Sequence, residues 1–116
     1  MDAEELLRRL ALNDENVVRS AVGADLTPLS GGPELDSKTN ALVRLAALLS
    51  IGAATSSCRA TVELARAAGA TDAEIVGVLV AVAPVVGSAR VVGAAPRLAL
   101  AIDYDVEDVA EVCDGA

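Results

Sequence analysis

Apolar positions recur with a helical period along almost the whole chain. Between Asp2 and Ala11, Leu6, Leu7 and Leu10 make one stripe, with Glu4, Glu5, Arg8 and Arg9 mostly outside it. Asn13 or Asp14 caps a second short helix with Val17, Val18, Ala21 and Val22 inward, and Gly23 stops it. Together these form a hairpin for the main body or for a neighbouring subunit. Pro28, Ser30, Gly31, Gly32 and Pro33 punctuate a loop over residues 24–35. A third helix opens at Asp36 or Ser37 and runs to about Ile51. Leu42, Leu45, Ala46 and Leu49 form its apolar face, and Val43 and Ala47 widen it, so it reads as an interior helix ended by Gly52.

The stretch Thr55–Val86 organises the rest. Its fourth helix, Thr55 to Ala68, carries Cys58, Val62, Ala65 and Ala68 on one side and Arg59, Glu63 and Arg66 on another. Gly69 can take the left-handed conformation that closes a helix. Thr71 then caps a fifth, and Glu74 three residues later completes a capping box before an apolar run. Pro84 lacks an amide proton and is expected to kink or end this helix, with the break at Gly87-Ser88. A sixth helix spans about Ala89 to Ile102, with Val91, Val92, Ala95, Leu98, Ala99 and Ile102 inward and Arg90 and Arg97 polar. Pro96 divides it into two shorter pieces on this reading. Val106, Val109, Ala110 and Cys113 give a last short helix. The expectation is an all-α bundle of six to seven helices: an arm and loop over residues 1–34, a helical body over 35–116, one structural domain overall.

Composition sharpens this picture. The 116 residues are 53% hydrophobic, yet there is no Phe or Trp and only one Tyr. A core of Ala, Val, Leu and Ile is marginal at this size, since a large aliphatic side chain contributes only ~1.5–3 kcal/mol on burial and alanine much less. Further burial between subunits is therefore expected. The net charge of −8 repels phosphate backbones, which argues against a nucleic-acid partner. The longest apolar run, Ile75 to Ala89, is short of the ~20 residues that span a bilayer. Met1 leads straight into an acidic amphipathic segment, so the expected location is cytoplasmic, with no membrane partner. There is no histidine at all. That removes His-based triads, His metal ligands and the commonest general base. Cys58 and Cys113 match no metal or redox spacing, so neither a metal nor a cofactor is expected.

The segments LDSKTNALVRLAAL and SCRATVELARAAGATDAEIVGVLVAVAPVVGSARVV resemble the carboxymuconolactone decarboxylase family, which includes the alkyl hydroperoxidase D-like proteins. The helix–GAT–capping-box joint is the most specific part, and the resemblance spans Leu35 to Ile102. It implies an all-helical trimer or hexamer. Redox members carry Cys-x-x-Cys-x-x-x-His before the GAT turn and a Glu on the preceding helix. Counting back from Gly69 puts Cys58 at the second cysteine, Thr55 at the first, Val62 at the histidine and Ala41 near the Glu.

These replacements change the chemistry. A peroxide-reducing pair needs one thiolate to attack and a second thiol to resolve the sulfenic acid, and Thr55 cannot resolve. A thiol with a free pKa of about 8.5 needs a basic or cationic neighbour to ionise, and Val62 and Ala41 supply none. Cys58 thus reads first as a small buried hydrophobe. The resulting expectation is an oligomeric scaffold or small-molecule-binding protein that has lost thiol peroxidase chemistry. One alternative is a decarboxylase or isomerase on a small carboxylated lactone. It would use Glu63 as acid or base, and Arg44, Arg59 or Arg90 to hold the carboxylate of its ligand. Lys38 is a further cation within reach of such a site. Another alternative is a single-cysteine hydroperoxidase using Cys58 with an external thiol. For each arginine a plainer role competes: an Arg59–Glu63 surface pair, an intersubunit salt bridge at Arg44, a helix-start surface position at Arg90.

Overall fold

The computed structural model describes residues 2–23 and 35–103. Six helices are present among them: α1 (Ala3–Ala11), α2 (Glu15–Gly23), α3 (Ser37–Ile51), α4 (Thr55–Ala67), α5 (Asp72–Val86) and α6 (Ser88–Ala101). The described residues contain no strand. The seventh helix expected around Val106 to Cys113 lies outside the described residues. The chain divides between Ser37 and Lys38 into two compact units.

In the first unit, α1 and α2 pack as a hairpin. Asp2 caps α1 by accepting from the Glu5 amide at 2.8 Å, and Asp14 caps α2 by accepting from the Asn16 amide at 3.1 Å. Asn13 turns the chain between them with φ +57°, a conformation that asparagine tolerates. Val17 is buried, but Leu7, Leu10 and Val22 are exposed. The inward placement expected for Ala21 and Val22 is therefore corrected, since both are exposed: nine-residue helices offer too narrow a shared face to cover them.

In the second unit α6 packs on both α4 and α5, and these two also touch. The core is Ala41, Leu45 and Leu49 from α3, Cys58, Val62 and Ala65 from α4, Ile75, Val78 and Leu79 from α5, and Ala94, Leu98, Ala99 and Ala101 from α6. No polar or charged residue among those described is buried. Each helix spends only one stripe on this core. Val43, Ile51, Val80 and Val92 are exposed, so α3 and α5 are not the interior helices that their composition suggests. Val92 and Ala95 likewise face outward, where the sequence pattern placed them inward. In helices apolar all round, the periodicity marks no preferred side.

The joints follow the local chemistry. At the GAT turn the Gly69 amide donates to Arg66 O at 3.0 Å and the Ala70 amide to Ala65 O at 2.9 Å, which closes α4 with a Schellman motif. Thr71 Oγ1 accepts from the Glu74 amide at 3.1 Å, and Glu74 Oε1 accepts from the Thr71 amide at 3.0 Å, completing the capping box. Lys38 Nζ meets Glu74 Oε2 at 3.0 Å and ties α3 to this corner.

Gly87 alone separates α5 from α6, at φ +88° and ψ +163°. Only glycine adopts that region readily, so one residue reverses the chain. Helix α5 continues two residues past Pro84 and ends at Val86, with the expected break at Gly87. Pro96 behaves differently from expectation: α6 runs unbroken through it instead of dividing into two shorter helices. Each proline removes one i→i−4 hydrogen bond, releasing the carbonyls of Val80 and Val92. Both residues sit on exposed faces, at 69% and 70% exposure, where the loss is cheap to tolerate.

Candidate functional site

Cys58 follows the α4 N-terminus and is wholly buried, at 0% exposure. Val62, one turn on, and Ala41 on α3 are equally enclosed. The three positions that match the thiol, imidazole and carboxylate of redox relatives are thus all core. Burial pushes the Cys58 thiol above its ordinary pKa; the charge of Arg97 opposes this more weakly. Cys58 is unbonded to any other cysteine among the described residues. Thr55 sits half-buried at the first turn of α4. A protonated, enclosed sulfur is a poor nucleophile, since the thiolate is the reactive form.

The charged candidates disperse. Arg59 leaves Glu63 and crosses to the end of α6. Its Nη1 meets Asp103 Oδ1 at 2.8 Å and its Nη2 donates to Leu100 O at 2.8 Å. The expected Arg59–Glu63 pair is absent because this end offers a carboxylate and a main-chain carbonyl together. Arg66 does the same from one face further along α4. It donates to Asp72 Oδ1 at 3.0 Å and to Ile102 O at 3.2 Å. Two guanidinium groups thus donate to carbonyls at the negative end of the α6 dipole. Glu63 is exposed on α4 and forms no ion pair among the described residues. Arg44 is half-buried on α3 and already engaged in an interaction of its own. Glu74 is held below the usual carboxylate range, first by the Thr71 amide and then by Lys38.

Of the ligand-binding residues expected from the sequence, Arg90 lines a described cleft. The cleft is an open depression of about 410 Å³ where the end of α3 meets α6, lined by Ile51, Gly52, Ala89, Arg90, Gly93 and Arg97. Glu63, Arg44 and Arg59 do not line it. Arg97 and Gly52 were not singled out from the sequence. Their signal was the spacing Arg90–Gly93–Arg97, which places both arginines on one face of a helix with a gap between them. Among the described residues no group of three or more His, Cys, Asp or Glu is placed to hold a metal ion, and no helix is long and apolar enough to cross a membrane.

Fold and site together define an all-helical protein whose thiol-bearing helix hairpin keeps its turn and caps, but seats its single described cysteine among apolar neighbours. The chain belongs to the carboxymuconolactone decarboxylase family, whose model matches residues 19–101. The match is wider than the motif-based span of residues 35–102, since it starts inside α2. No curated protein and no solved structure matches the chain significantly.

Proposed function

We propose that this chain is a non-redox member of its family, a homo-oligomeric scaffold that binds a small molecule and no longer performs thiol peroxidase chemistry. The observation that carries this reading is the complete burial of Cys58, Val62 and Ala41 together. Reduction of a peroxide by one cysteine needs the thiolate to attack the O–O bond, expel an alkoxide and become a sulfenic acid. Here burial disfavours the thiolate, and among the described residues no buried base stands ready to take the proton. The lactone decarboxylase or isomerase reading receives less support, because Glu63 does not line the cleft that holds Arg90.

Self-association is supported by apolar surface. Beyond Glu74, helix α5 has no charged residue, yet Val80 and Val85 are 69% and 86% exposed. Val43 and Ile51 on α3 and Val92 on α6 add to this surface. Apolar residues at this density on several helices call for cover, and a second copy of the same face supplies matching Val and Ala without charge conflict.

The test is hydroperoxide consumption by the full chain with a dithiol reductant, together with thiol titration near neutral pH. No turnover above a Cys58→Ser control, and slow Cys58 labelling that speeds up in denaturant, are expected. Robust turnover that vanishes in Cys58→Ser would overturn the reading.

A further inference from the structure

In a chain with seventeen acids and nine cations, spare positive charge is unexpected. In the second unit Lys38, Arg59 and Arg66 have carboxylate partners, and Arg44 is engaged. Arg90 and Arg97 form no hydrogen bond or ion pair with a described residue. They stand seven residues apart on α6, which returns the helix to nearly the same face about 10 Å further on. Both side chains converge on Gly52. A Cβ there would lie 3.3 Å from Arg90 Nη1 and 3.4 Å from Arg97 Nη1.

Two guanidinium groups that approach one point are closer than the ~8 Å screening length of physiological salt, so their repulsion is felt. A plainer role would be to neutralise the α3 dipole, as Arg59 and Arg66 do for α6. Those two donate to carbonyls of the helix they serve. Arg90 and Arg97 donate to none, and the α3 end is already closed by the Gly52 amide to Leu49 O at 3.4 Å and the Ala53 amide to Leu48 O at 3.0 Å. Glycine at residue 52 serves that closure with φ +74°, and its missing side chain also leaves the space between the two guanidinium groups open. No acid lines the cleft among the described residues.

The geometry points to an anion site in which Arg90 and Arg97 clasp a compact oxyanion, a carboxylate or a phosphate, over Gly52. Planar guanidinium forks match both oxyanions, and two of them offset the charge of either. Ile51 and Ala89 give the cleft a short apolar wall, so a small organic acid or phosphate ester fits its volume better than a large cofactor. The inference deepens the small-molecule-binding part of the proposal above and rests on it, but not on the loss of thiol chemistry. Peroxide turnover is not read in its test, so the two can fail separately.

The experiment is isothermal titration calorimetry of the full chain with inorganic phosphate and, separately, with succinate, at matched ionic strength. At least one of the two binds, and which one binds identifies the ligand class. Arg90→Gln and Arg97→Gln each weaken binding by roughly tenfold or more, the loss expected for a charge-assisted hydrogen bond. Arg97→Lys retains part of it, and Arg19→Gln on α2 leaves it unchanged. Arg90 is exposed, so its variant keeps the test decisive if the Arg97 variants fold poorly. Absence of binding by both probes, or equal binding by wild type and the Arg90→Gln variant, would overturn the site.

Discussion

Restoring the family's histidine at Val62 should damage the fold rather than revive a reaction. Val62 is at 0% exposure between Cys58 and Ala65, on the buried face of α4. An imidazole is larger than an isopropyl group, and overpacking a closed core costs ~1–3 kcal/mol. Its nitrogens would also find no polar side chain, because none is buried among the described residues. An unsatisfied buried donor or acceptor costs a further ~1–3 kcal/mol. The sum, about 2–6 kcal/mol, is a large part of the roughly 5–15 kcal/mol that stabilises a typical domain. A second signature follows from charge. Burial disfavours the imidazolium, so the folded-state pKa of the new histidine lies below its unfolded value of about 6.5. The unfolded chain then takes up the proton first, and stability falls further as pH drops through about 6.5. The wild-type chain has no histidine, so this step belongs to the variant alone. Urea unfolding followed by far-UV circular dichroism at pH 7.5 and pH 5.5 reads both effects. A Val62→His protein within about 0.5 kcal/mol of wild type at both pH values would refute the reasoning, as would a gain of peroxidase turnover.

Alkaline pH should expose the enclosed thiol. The Cys58 pKa is raised by burial, so its contribution is intact below the unfolded value of about 8.5 and is lost as pH climbs above it; thermal scans from pH 7 to 10 should show a slope that Cys58→Ala reduces. In acid the sign reverses at Glu74, whose lowered pKa gives stability that is present above about 4.3 and lost as pH falls toward the folded value. A Glu74→Gln variant should therefore have a flatter acid limb in unfolding measured from pH 6 to 3. Gly87→Ala should cost ~1–3 kcal/mol, because it forces a side chain into a glycine-only region; an unchanged denaturation midpoint would contradict the chain reversal described. Val80→Asp should lower the mass seen by light scattering without changing helicity, whereas an unaltered oligomer would show that this face of α5 stays uncovered.

The joints were the most legible part of the fold. Gly69, Thr71 and Glu74 act through neighbours within a few residues, so their roles can be read in one dimension. The facing of α3, α5 and α6 was not legible, because Val43, Val80 and Val92 are as apolar as the residues that became core. Pro96 misled for a related reason: a missing hydrogen bond ends a helix only where nothing else holds it, and α6 is clamped at its far end by Arg59 and Arg66. Those clamps join residues some forty positions apart, beyond any local pattern. The candidate site divides in the same way. The loss of thiol partners was visible as residue identities at Thr55 and Val62. The cleft was not, since Gly52 and Arg97 meet only after α3 and α6 come together.

The two released carbonyls limit what can settle on the outer surface of this bundle. Val80 and Val92 each present a bare acceptor amid hydrocarbon. A purely greasy lid would strand both dipoles away from water, at a penalty that grows with dryness. Whatever docks here must therefore bring donors of its own, or trap a few solvent molecules at two fixed spots, and that requirement would set the angle at which any partner seats on this face.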